Sequence, residues 1–122
     1  MTNFGVYITM ELRFKTKKLK KQCEVPDEAK IIYGSKIGNK LTQRVTELAA
    51  ASNLDDIAKI PAARLHKLEG SRKNEYAIDL VHPFRLVITP FQEGNAEVSS
   101  LSSISIVRIE EVTDYHGKQK RK

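Results

Sequence analysis

His66, Arg85, Tyr115 and His116 are the side chains of this sequence whose types combine into a reaction. Histidine, with an ordinary pKa of about 6.5, can give or take a proton near neutrality. Arginine presents a planar fork that fits two phosphate oxygens at once. Tyrosine can stack on a displaced base or donate a hydrogen bond. Together they suit cleavage of RNA by its own 2′-OH, which attacks the adjacent phosphorus and leaves a 2′,3′-cyclic phosphate and a free 5′-OH. That step needs a base for the 2′-OH, a donor for the departing 5′ oxygen, and cations around the charged phosphorane. Each residue also has a plainer reading. A histidine at a strand edge is often an ordinary surface residue, and Arg85 can simply pair with Asp79 across a sheet.

Other chemistries are poorly served. The three histidines stand apart, with no H-x-x-x-H pair, and Cys23 has no cysteine partner, so no zinc site is expected. Neither common Gly-rich phosphate loop occurs, and there is no G-x-S-x-G elbow. A carboxylate cluster for Mg²⁺ is missing too. The reaction expected is metal-free and needs no cofactor.

The elements that must position this set can be read from hydrophobic periodicity. Tyr76, Ile78 and Leu80 alternate with Ala77 and Asp79, and Phe84, Leu86 and Ile88 alternate with Arg85 and Val87. A period of two marks strands with one buried face. Gly70-Ser71 and His82-Pro83 supply the turns between three short antiparallel strands. With Leu65 facing in, His66 faces out and shares the open side of the sheet with Arg85. Arg72 reads as a structural turn partner, and His82 as a turn residue without a catalytic part.

Upstream, Leu12 and Phe14 form a short strand, and Thr16 is placed to cap a helix. In the run KKLKKQCEV, Leu19 and Cys23 fall on one helical face, opposite Lys17, Lys18 and Lys21. Pro26 kinks or restarts that helix. Gly34-Ser35 ends the segment and caps the next, in which Ile37, Leu41, Val45 and Leu48 form one apolar stripe. Asn53 caps a short turn that ends at Pro61. Most of Pro90 to Ser103 reads as a loop and Ile104 to Val112 as a final strand, which delivers Asp114-Tyr115-His116. The predicted fold is α+β: an N-terminal helical hairpin packed on a small antiparallel sheet.

Composition narrows the class. At 122 residues, with 40% hydrophobic residues, the chain is expected to form a single domain over 1–122. Residues 1–9 stand as either an extra strand or a start-site extension, and 118–122 as a basic tail. No apolar run approaches the roughly 20 residues that span a bilayer, and no secretory leader is visible. A cytoplasmic location is expected, with no membrane partner. The formal charge of +6 and a pI near 9.5 attract polyanions, nucleic acid above all, although an acidic protein would also satisfy them. Six of the nine residues from Arg13 to Lys21 are basic. They read equally as a phosphate-contacting patch or as a solvated helix face.

A resemblance joins these pieces. Leu65-His66-x-Leu68-x-Gly70-x-Arg72, Tyr76-x-Ile78-x-Leu80, His82-Pro83-Phe84-Arg85-Leu86 and Asp114-Tyr115-His116 occur in that order. The ordered set resembles the RelE/HigB-type toxins of bacterial type II toxin–antitoxin pairs, within the RelE/ParE superfamily, and the resemblance covers the chain from Met10 to Lys118. The resemblance implies a ribosome-dependent mRNA interferase, neutralised by a cognate helix-turn-helix antitoxin of HigA type that also carries the toxin to operator DNA. It implies that His66 and His116 act as acid and base in an order left open. Arg85 would stabilise the transition state and Tyr115 would position the substrate. Asp114 would orient a neighbour, and Lys67 and Lys118 would add charge. Lys17, Lys18 and Lys21 are candidate RNA contacts only on the reading of the basic run as a phosphate-contacting patch. Glu69 stands where the family often has lysine, and Ser71 replaces a frequent aspartate. ParE-type toxins share the fold but bind gyrase without cutting RNA, and a degenerate toxin that only binds its antitoxin is the third reading.

Overall fold

Thr16 opens the helical layer. Its hydroxyl accepts from the backbone N–H of Leu19 at 3.0 Å, which caps α1 (Lys17–Glu24) as the sequence predicts. Leu19, Gln22 and Cys23 turn inward, and burial pushes the Cys23 thiol up to about 12, so it behaves as a small core residue. Pro26 takes the first position of α2 (Pro26–Ala50), where a missing N–H costs nothing. Gly34, at φ +87, breaks α2 into residues 26–33 and 35–50. The computed structural model describes residues 9–72, 74–91 and 100–114. No helix among them is long and apolar enough to cross a membrane.

The two halves of α2 fold against each other at one glycine. A Cβ on Gly38 would lie 2.8 Å from the backbone of Ala29 and Lys30. Gly38→Ala must therefore push main chain apart, at a packing cost of roughly 1–3 kcal/mol. That exceeds the roughly 1 kcal/mol alanine gains in helix propensity. The variant is expected to show a lower urea midpoint with an unchanged m-value.

The stripe foreseen on the second half holds. Leu41, Val45 and Leu48 are buried and Ile37 packs against them. Arg44 is buried as well, a feature the apolar pattern did not reveal. It donates Nε–H to the Asp79 carbonyl and Nη1–H to Glu47, each at 2.9 Å, and so ties the helix to the sheet.

The sheet has five strands: β1 (Glu11–Phe14), β2 (His66–Lys67), β3 (Tyr76–Asp79), β4 (Phe84–Phe91) and β5 (Ile106–Asp114), in the order β1-β5-β4-β3-β2. The helical layer precedes β2, with α3 (Leu54–Ala58) capped by the Asn53 side chain. The α+β architecture matches expectation, but the sheet is mixed, because β1 runs parallel to β5. Parallel neighbours need a long connection, and here the rest of the chain supplies it. Two boundaries also differ. β4 continues through Pro90 and Phe91 into the segment read as a loop. Proline is tolerated there because β3 has ended, so no ladder partner needs its N–H. β5 begins and ends two residues later than predicted.

One face of this sheet meets the helices. Ile78, Leu80, Leu86, Ile88, Val107 and Ile109 bury against Leu41, Leu48 and Leu54, as the alternation in β3 and β4 required. On the other face, Leu68, Ala77 and Val87 form a small separate apolar cluster. Val87 lies opposite Glu111 but Ile88 opposite Ile109, so Glu110 is an extra residue bulged from β5. The bulge resets alternation in β5, returning Val112 to the helix side.

Candidate active site on the open face of the sheet

His66 lies opposite Ala77, which lies opposite Val87 and, beyond it, Glu111. Residues directly opposite in an antiparallel ladder share a face, so His66 stands on the side away from the helices, as expected. The neighbouring row on that side is Asp79, Arg85 and Thr113. Strand spacings put His66 and Arg85 about 12 Å apart at Cα, with Ala77 and Val87 closing the floor between them. The sequence-derived placement of His66 and Arg85 on one open face therefore holds.

The backbone before His66 orients its ring. Pro61–Ala63 form a turn of 3-10 helix that ends at Arg64, a non-glycine residue in the left-handed region at φ 43. Its carbonyl lies 2.8 Å from His66 Nδ1. A carbonyl only accepts, so Nδ1 must carry the proton, and in the neutral ring Nε2 keeps its lone pair. Nε2 is thereby the ring nitrogen left to accept a proton in this tautomer.

Arg64 is a residue that sequence reading missed. Its Nε–H and Nη2–H grip the two oxygens of Asp79 at 2.8 and 3.2 Å. This places a second guanidinium on Asp79, the acid considered as a partner for Arg85, in the row next to that of His66. Nothing in the sequence marks an arginine for a left-handed conformation, so no pattern could have singled it out. Arg85 itself is half-buried, and its Nε is shut off from solvent.

Other foreseen residues go elsewhere. Lys67 lies opposite Tyr76, whose ring packs against the helix-side core, so Lys67 projects to the face away from His66. Asp114 lies opposite Phe84 and takes that same helix side, while Thr113 joins Arg85. Lys17, Lys18 and Lys21 are exposed on α1. Lys18 lines a groove with Glu110 and Glu111 at β5, and Lys21 sits 3.9 Å from Glu28. Tyr115, His116 and Lys118 lie outside the described residues. Arg72 is a structural turn partner, as read. It binds Glu75 and reaches across to Glu111 at 2.6 Å.

A buried carboxylate anchors the far end of the face. Glu110 receives Nε–H of Arg108 at 2.8 Å and lies 3.9 Å from Lys15. Burial alone would raise its carboxyl, but hydrogen bonds from Arg108 and Thr89, with the charges of Arg108 and Lys15, outweigh it and hold the group below its ordinary value. Glu110→Gln is expected to cost about 1.5–3 kcal/mol at neutral pH. The folded state holds this proton more weakly than the unfolded chain, so the stabilisation is complete above the ordinary value of 4.5 and fades as pH drops through the lowered one. Thermal melts of both proteins should converge as the medium is made acidic.

Comparison with known proteins adds to this geometry. The sequence matches the family model described as RelE-like toxin of type II toxin–antitoxin system HigB over residues 12–102. That span includes His66 and Arg85 and ends before Asp114. No curated protein sequence matches the chain. Among solved structures, a YoeB/ParE toxin from Agrobacterium tumefaciens has a TM-score of 0.50 at 9% identity, covering 87% of this chain and 99% of its own. At that identity the likeness is one of fold. A helical layer on a five-stranded mixed sheet, with histidine and arginine on its open face, is thus joined to a match over most of the sequence: the chain belongs to the HigB-like family of RelE-like toxins of type II toxin–antitoxin systems.

Proposed function

We propose that this toxin is a ribosome-dependent mRNA endoribonuclease of the cytoplasm that cuts translated message through attack by the RNA 2′-OH. The observation that carries this reading is the single face shared by His66, its Nδ1 tied to the Arg64 carbonyl, and by Arg85, with the Arg64 guanidinium on Asp79 in the same row as Arg85. A neutral imidazole with a free Nε2 suits proton transfer at the 2′-OH or at the leaving 5′ oxygen. Two guanidiniums suit the charge that grows on the phosphorane. His116 completes the acid–base pair, Tyr115 positions the substrate and Asp114 orients a neighbouring side chain. Lys17, Lys18, Lys21, Lys67 and Lys118 supply diffuse attraction to RNA. The ribosome contributes by holding the message in a cleavable geometry, an ordering that is itself catalytic.

Membership in a type II system implies an antitoxin. We take it to be a helix-turn-helix protein of HigA type, which neutralises the toxin and provides its contact with operator DNA. The test is a translation extract programmed with a reporter message, with and without an intact start signal. New 5′ ends are expected only in the translated reporter. Inhibition of gyrase supercoiling without such ends would replace this reading with that of a ParE-type poison. Tight antitoxin binding with no growth arrest would make the protein a degenerate toxin.

A further inference from the structure

Phe91 is out of place for an aromatic residue of this fold. Among the described residues, Phe14, Tyr33, Tyr76 and Phe84 all pack against the helix-side core. Phe91 follows the outward parity of Arg85, Val87 and Thr89 along β4, and so stands on the open face. Two guanidiniums attend it: the Cζ of Arg13 lies 5.3 Å from its ring centroid and that of Arg108 5.5 Å. Arg13 and Arg108 are themselves opposite each other in the β1–β5 ladder. Their side chains remain 46% and 39% exposed, so both keep edges that water or a ligand can reach.

We propose that Arg13, Phe91 and Arg108 form a binding subsite for single-stranded RNA, a platform on which the message rests away from the cleaved phosphate. The inference builds on the RNA-cleaving reading of His66 and Arg85. Strand spacings put Phe91 about 16 Å from His66 at Cα on the same face. A polar cleft of about 400 Å³, lined by Arg72, Thr89, Arg108 and Glu110 among others, opens beside the platform. Single-stranded nucleic acid is held where an aromatic or guanidinium plane meets a base while cations meet the backbone, and this trio supplies both. The acids nearby do not face the strand bare. Glu11 is taken by Arg13, Glu110 by Arg108, and Glu75 and Glu111 by Arg72. Each ion pair also fixes its guanidinium in place before a ligand arrives.

The test is equilibrium binding of a short fluorescent single-stranded RNA oligonucleotide to the full chain, across a salt series. Phe91→Ala is expected to weaken binding about tenfold, the loss typical of one stacked base. Arg13→Gln, at an exposed position that leaves the core intact, should lower the salt slope by about 0.7. Unchanged affinity and slope in both variants would overturn the platform, as would equal competition by duplex RNA. Cleavage mapping separates this from the catalytic reading. A chain that binds through the platform but cuts nothing keeps the platform and loses the nuclease. A chain that cuts while both variants bind normally keeps the nuclease and loses the platform.

Discussion

His66→Gln is expected to slow message cleavage by roughly 10²–10⁴-fold, the range that positioned acid–base groups contribute. Glutamine keeps the length and a hydrogen-bonding nitrogen but cannot shuttle a proton. In the proposed reaction Nε2 takes that part, because Nδ1 is held by the Arg64 carbonyl. The effect on stability should be small, within about 0.5 kcal/mol, since His66 sits half-buried on a two-residue edge strand. Time courses of 5′-end formation on translating ribosomes measure the first quantity, and thermal melts the second. Arg64→Ala provides a contrast: the carbonyl that holds His66 remains, while the paired guanidinium on Asp79 is lost.

Arg85→Ala should lower the cleavage rate by about 10²–10³-fold, as removal of one donor from a developing oxyanion typically does. Arg85 stands midway across the sheet, between Asp79 and Thr113. Its backbone is therefore held by ladders on both sides. Arg85→Lys keeps the charge without the fork and is expected to recover only part of the loss. A fall in turnover at saturating ribosome, rather than in apparent affinity, identifies an interaction made in the transition state.

Much of this geometry was legible before any coordinates. Strict alternation in Tyr76–Leu80 and Phe84–Ile88 is enough to send Arg85 outward, and Leu65 beside His66 sends the histidine the same way. Thr16, Pro26, Gly34 and Asn53 mark helix ends because each does local chemistry that needs no tertiary partner. What escaped depends on distant parts of the chain. The parallel pairing of β1 with β5 joins the two ends of the described chain, and no local pattern encodes it. The Glu110 bulge resets parity in β5 and so sends Asp114 toward the helix side and Thr113 to Arg85. Arg64 adopts a left-handed backbone that the sequence does not advertise. Phe91 was lost inside a stretch that Pro90 and its polar neighbours make look like a loop, although the proline merely sits where β4 has one partner.

The measurement that tests the central claim most directly is end-group analysis of the cut RNA. A reporter message would be translated with the wild-type chain, His66→Gln or Arg85→Ala, and new 5′ ends captured with and without prior kinase treatment. Attack by the 2′-OH predicts 5′-hydroxyl ends that are captured only after phosphorylation, each facing a 2′,3′-cyclic phosphate, and nearly absent in both variants. Ends that carry a 5′-phosphate, or 5′-hydroxyl ends that persist undiminished in both variants, would contradict the assignment of this face as the catalytic site.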